Sequence, residues 1–184
     1  MKNLLSSLAF AAALCLTTGA QAAIVTFDSP GLIDIDNNTN VATYDEAGFR
    51  FAGDAASYLP IDGIGSGGTG GLFVLANSTL TFTAGGGLFS LFALDYGLYD
   101  PMAAGMLDIH GILSDNSQLN AMLTLGNLSG FSFQGWTNLR EVSFSADADF
   151  VLDNVNAVPE PGSMAVVLAG LAGLALARRR RVVN

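Results

Sequence analysis

Oxygen-bearing side chains recur on alternate residues from Asp34 through Asp36 and Asn38 to Asn40, and Asp45 follows eleven residues after Asp34. Alternating oxygen ligands closed by a carboxylate at the twelfth position is the spacing of a calcium loop, in which a hard cation collects about six to eight oxygens. Asp34, Asp36, Asn38, Asn40 and Asp45 are therefore a candidate calcium site. The pattern departs from the motif in three ways. Thr39 stands at the sixth position, where the sharp turn favours glycine, Asp45 replaces the usual glutamate, and no helical pattern flanks the stretch. The same residues also describe a polar loop made of turn formers.

Asp147, Asp149 and Asp153 form a second acidic group. On an unbroken strand, alternation puts all three on one face. Glycoside hydrolysis needs two carboxylates at a set separation, so a secreted hydrolase is one reading. The other is an acidic turn plus a strand-end aspartate bonded to backbone, or one that holds a neighbouring loop or a metal. His110 is the single histidine, with Asp108 two residues before it. A Ser-His-Asp arrangement needs a nucleophile, and no Gly-x-Ser-x-Gly marks one, so His110 reads as structural. Zinc at this lone imidazole would need carboxylates for its other ligands, a rare set. Trp136 sits in Gln134-Gly135-Trp136-Thr137-Asn138, a loop-like setting, and with Tyr96 and Tyr99 it is a candidate sugar-stacking platform; the alternative is a core or sheet-edge aromatic.

The elements that position these residues read as strands. Alternation or β-rich runs appear at 24–27, 48–52, 72–75, 79–83, 88–95, 106–113, 118–125, 131–133, 142–144 and 150–152, separated by turn residues. Ala76-Asn77-Ser78 predicts a hairpin between 72–75 and 79–83, and Ser114-Asp115-Asn116-Ser117 predicts another. The run at 88–95 is nearly continuously apolar, as in a buried central strand. No stretch of the body keeps a helical period over three turns. The pattern predicts an all-β, antiparallel β-sandwich of jelly-roll type. Residues 63–71 are glycine-rich but lack the Gly-Lys-Ser/Thr ending of a phosphate loop, and so read as a flexible surface loop.

Both ends differ from this body. Lys2, the apolar run from Leu4 to Leu16 and the small-x-small triplet Ala20-Gln21-Ala22 compose a secretory signal peptide cut after Ala22, which makes signal peptidase and the Sec machinery partners. Cys15, the single cysteine, leaves with it, so the expected mature chain has no thiol in a compartment that permits disulfides. At the other end, Met164 to Ala177 is uncharged and Arg178, Arg179, Arg180 and Arg181 follow. Fourteen helical residues reach about 21 Å against about 30 Å of hydrocarbon, a short span that snorkelling arginines and local bilayer adjustment can complete. The arginines stay cytoplasmic, which places the body outside the inner membrane. Three segments result: 1–22, 23–157 and 158–184. The middle one retains Arg50 and Arg140 against 15 carboxylates, a net charge of −13 from 2 basic and 15 acidic residues. Such a body does not bind nucleic acid or anionic lipid through its field, although it attracts divalent cations.

Val158-Pro159-Glu160-Pro161-Gly162-Ser163, the short apolar helix and the four arginines, in that order, resemble the PEP-CTERM sorting signal. The resemblance covers the last 27 residues and implies handling by an exosortase, a membrane transpeptidase that cuts near Pro159, Glu160 and Pro161. It further implies export in a Gram-negative bacterium that makes extracellular polysaccharide. The prolines suit the role, because they remove two backbone donors and keep the segment extended. A fainter likeness runs through the body. Tyr44, Gly48, Phe49 and Phe51, then Phe89, Leu91 and Leu94, then 131–136 and Val142 to Val155, are similar in order to secreted sandwich proteins related to galactose-binding jelly rolls. The combined expectation is a non-enzymatic surface or matrix protein. Its role is structural or adhesive in the exopolysaccharide layer, with a carbohydrate-binding module and a hydrolase as alternatives.

Overall fold

The computed structural model describes residues 22–28 and 33–160. Apart from Ala22, the expected leader lies outside the described residues, as do Pro161, the apolar run and Arg178 to Arg181. Among the described residues no helix is long and apolar enough to cross a membrane.

Thirteen strands make up the described chain: β1 (Ala23–Val25), β2 (Ile33–Asp36), β3 (Val41–Glu46), β4 (Phe49–Asp54), β5 (Tyr58–Ile61), β6 (Gly71–Val74), β7 (Thr79–Thr83), β8 (Phe89–Leu98), β9 (Gly105–Leu113), β10 (Gln118–Leu125), β11 (Ser129–Ser132), β12 (Leu139–Ala146) and β13 (Phe150–Pro159). A single 3-10 turn, Ser66–Gly68, interrupts them. Every pairing between these strands is antiparallel. The main path runs β2-β3-β4-β7-β12-β8-β13-β6-β5, with β9 and β10 extending from β12, β11 from β8 and β1 from β13. One residue pair, Leu139 with Phe89, joins β12 to β8. The sheet folds over at that point into two leaves, a sandwich-like body of seven strands ending in β10 and six centred on β13.

Alternation explains the leaves. In β7, Leu80 and Phe82 are fully buried while Thr79, Thr81 and Thr83 face outward. Next to it β12 buries Val142 and Phe144 and turns Glu141, Ser143 and Ser145 out. A period of two on paired strands therefore places one face of the central strands between the leaves. The filling is aromatic. Phe82 lies 4.6 Å from Phe51, 5.0 Å from Phe49 and 5.2 Å from Phe89, centroid to centroid. Such stacked, tilted and edge contacts add to area burial.

Several expectations change. Strands at 72–74 and 79–83 do form, but not as a hairpin. β6 pairs with β5 and β13, and β7 pairs with β4 and β12, so residues 75–78 cross between leaves. Backbone bonds hold that crossing to the β12–β13 turn, with Asn77 N–H donating to Ala146 O at 2.7 Å. Turn chemistry alone does not distinguish an arch from a hairpin, because the partner strands lie far off in sequence. The candidate calcium stretch is itself a hairpin, in which β2 and β3 pair from Ile33–Tyr44 to Asp36–Val41. The 114–117 hairpin forms as expected, pairing β9 with β10 in unbroken register. β13 runs well past the expected 150–152 and carries Val158 and Pro159 into the sheet.

Candidate functional site

Carboxylates supply most of the polar chemistry, and many of them already accept from a neighbouring donor. Asp36 sits at the end of β2 and accepts from Asn38 N–H at 2.9 Å and Thr39 Oγ1 at 2.8 Å, which holds its carboxyl below the usual range. Asn40 donates its amide to Asp54. Asp45, on β3, receives both Nε and Nη2 of Arg50, at 2.8 and 2.7 Å, and those bonds lower its pKa. Asp34 is paired with Thr43, two residues along β3 from Asp45. The five expected calcium ligands are thus spread over both strands and the turn of a hairpin. Among the described residues no three His, Cys, Asp or Glu side chains gather as a metal site. Asp34 and Asp36 lie on β2, where alternate residues stand about 6.6 Å apart, Asn38 and Asn40 lie in the turn, and Asp45 is drawn to Arg50 on β4. A depression of about 580 Å³ opens beside the Asp45–Arg50 pair, between Gly48, Thr83 and Gly86. Its second carboxylate, Glu46, is also engaged, accepting from Thr26 N–H, Phe27 N–H and the Tyr44 hydroxyl.

The second acidic group divides three ways. Asp147 Oδ1 accepts from Met106 N–H at 2.7 Å, and Asp149 Oδ1 from Ala76 N–H at 2.8 Å. Asp153 is fully buried and takes Ser66 N–H on Oδ2 and Asn154 N–H on Oδ1, both at 2.7 Å. The three do not share a face toward one substrate. They brace three different segments, which is the turn-and-backbone reading of the sequence. Asp153 reaches across 87 residues to fasten the glycine-rich loop, which is consequently built and not a free tether. A Cβ at Gly65 would overlap the Gly70 carbonyl oxygen, and one at Gly70 would overlap the Phe27 carbonyl oxygen. Glycine is required there by close approach. Burial pushes the Asp153 carboxyl up, against the pull of the Ser66 and Asn154 bonds, and nearby Asp95 adds to the rise.

His110 lies on the outer face of β9, with Nδ1 against Asn120 Oδ1. Ser143 stands opposite it in register, but Asp108 is two residues along the same strand and does not orient the ring. Trp136 is 7% exposed and packs on Phe133 at 4.7 Å. It therefore does not form the exposed stacking surface expected of it, because Gly111 leaves the space its ring fills. The exposed aromatic surface lies elsewhere. Tyr99 is 48% exposed and meets Phe73 edge-on at 4.6 Å, and exposed Leu59 is paired with Phe73. Tyr99 was legible in the sequence as a candidate; Phe73 was hidden within an ordinary strand.

At the far end of β13, Val158 pairs with Ser90 and Pro159 with Phe89. Glu160 follows directly, half-buried. Residues 157–181 match the PEP-CTERM protein-sorting motif. The chain carries a PEP-CTERM sorting signal. Such a signal marks a protein that is exported, held at the membrane and processed by an exosortase. No curated protein matches the chain. Among solved structures, a variant of a family 29 carbohydrate-binding module is 10% identical, covering 76% of this chain and 91% of that one at a TM-score of 0.45. A family 11 carbohydrate-binding module from Clostridium thermocellum, in complex with a mixed-linked tetrasaccharide, is 11% identical, covering 77% and 97% at 0.38. The Clostridium thermocellum xylanase 10B is 14% identical at 0.40; the match covers 62% of this chain and 26% of that enzyme, so the PEP-CTERM chain spans about a quarter of its length.

Two outcomes follow from this geometry. Calorimetric titration with millimolar calcium should give no binding heat and no change in melting temperature. Asp153→Ala should cost about 1–3 kcal/mol at neutral pH, because it leaves part-buried N–H donors without their acceptor. A raised folded pKa contributes stability that is present below the ordinary 3.8 and lost as pH rises through the folded value. The gap between wild type and Asp153→Ala, measured by urea unfolding, should therefore be widest in acid.

Proposed function

We propose that this chain is a non-enzymatic cell-surface or extracellular-matrix protein. In this reading a signal peptide exports it, a single C-terminal helix holds it at the inner membrane with its body outside, and an exosortase processes it for a structural or adhesive role in the exopolysaccharide layer. The sorting motif that continues directly from the last strand carries the reading. An all-β body whose last strand enters the motif suits a protein whose function is to be placed. Asp147, Asp149 and Asp153 each brace a different segment, which supports a body without catalysis, since an acid–base pair has to face one substrate. Replacing Pro159, Glu160 and Pro161 by alanine should leave full-length protein in the inner-membrane fraction. Release of the tail at the wild-type rate would contradict the reading.

A second reading has an observation of its own. The Phe73–Tyr99 pair presents an exposed ring at the surface, the geometry that lets a sugar's C–H face stack on an aromatic. The body's negative charge disfavours an anionic polymer, so the glycan class is neutral. Tyr99→Ala should weaken binding to a neutral polysaccharide about tenfold in affinity electrophoresis, given roughly 1–2 kcal/mol per stacked ring, and leave the melting temperature near wild type. Unchanged retardation by every neutral glycan would remove this reading.

A further inference from the structure

The recognition residues of the tail begin inside the folded sheet. Past a bulge at Asp153–Asn156, β13 pairs with β8 through Asn156–Ala93, Ala157–Leu91, Val158–Ser90 and Pro159–Phe89. On the opposite edge, Ala23 of β1 pairs with Ala157 and Ile24 with Asn156. Ala157 is thus held on both sides, and Val158 and Pro159 are held by β8. The ground beneath them is core. Ala157 and Phe89 are fully buried and Leu91 is 1% exposed. The Phe89 ring meets Phe49 at 5.8 Å and Phe82 at 5.2 Å. Peeling Val158 and Pro159 from β8 breaks a ladder that lies over this cluster.

An enzyme that cuts a peptide bond needs the chain extended in its own cleft on both sides of that bond. A segment laddered into a sheet reaches such a cleft only through local opening, and its cleavage then scales with the open fraction. We propose that the folded body sets the N-terminal limit of the sorting cut: pairing of β13 with β8 and β1 withholds every bond through Val158–Pro159, so the processed body keeps Pro159. This rests on the exosortase reading above. At the bond cut, an acceptor's lone pair forms the new bond to the acyl carbon, the C–N bond breaks, and the acceptor's proton passes to the departing amine. The acyl side is the body ending at Pro159 or beyond, and the tail leaves with the new amine. An amine, a hydroxyl or water serves as acceptor, and nothing is oxidised or reduced.

The same ladder gives β1 a second use. Ala23, the residue after the expected leader cut, is the cross-strand partner of the residue two before Pro159. The amino end of the mature body thereby closes the edge that guards its carboxyl end.

The test compares wild type with a variant carrying a flexible Gly/Ser linker of about six residues between Val158 and Pro159. Both are expressed in a host that processes such tails, followed by pulse–chase and measured by intact mass. The wild-type body should end at Pro159 or later, and the linker variant should lose its tail at least about tenfold faster, because its motif no longer waits for local opening. A wild-type body ending at Val158 or earlier overturns the proposal. Equal rates of tail loss also overturn it, while leaving the sorting reading intact. Retention of the tail by both chains overturns the sorting reading and this inference together.

Discussion

Strand β13 is the constraint on which the structure depends. It pairs with β6 over Phe150–Leu152, with β1 over Val155–Ala157 and with β8 along nearly all its length. One leaf of the body is assembled around it. Phe150, Leu152, Val155 and Ala157 are fully buried toward the other leaf. Its buried Asp153 fastens the glycine-rich loop, and its last residues begin the sorting motif. Loss of its ladder would release the N-terminal strand, the loop and the tail's attachment at once, because the three share no other strand.

The body's charge imbalance explains why its carboxylates offer so little chemistry. With two arginines against fifteen acids, few can find a cation. Among the described residues, the Arg50–Asp45 bridge is exposed on both sides, where such a pair contributes little. Several of the remaining acids turn to backbone N–H groups instead. Asp28 holds Gly70, Glu46 holds Thr26 and Phe27, Asp147 holds Met106, and Asp149 holds Ala76. A carboxylate accepting a backbone N–H makes a charge-assisted bond stronger than a neutral one. The acids thus serve as staples for loops in a chain whose expected mature form has no cysteine to cross-link them. Asp147 and Asp149, which resemble part of a hydrolase site in sequence, are two of these staples, placed near turns because turns have free N–H groups.

Local signals were legible where neighbours in sequence are neighbours in space. The β9–β10 hairpin and the alternation of β7 and β12 follow from turn residues and a period of two. So does the order of proline motif, apolar run and arginines, which is read along the chain. What remained hidden depends on long-range pairing. The arch at 75–78 looks like a hairpin until β12 and β13 claim its flanking strands. Trp136 looks like a loop residue until Gly111, 25 positions earlier, makes room for its ring. Asp153 looks like one of three clustered acids until Ser66 arrives from 87 residues away.

The sequence alone determined that this is an acidic, strand-forming body bearing a sorting signal, because composition, alternation and motif order are properties of the chain that no folding can change. Tertiary structure decided which carboxylates are spent, which aromatic is exposed and how closely the motif abuts the core. Those outcomes depend on registers between strands far apart in sequence. A one-residue shift in β13 would turn Asp153 into the core and move Pro159 out of its place beside Phe89.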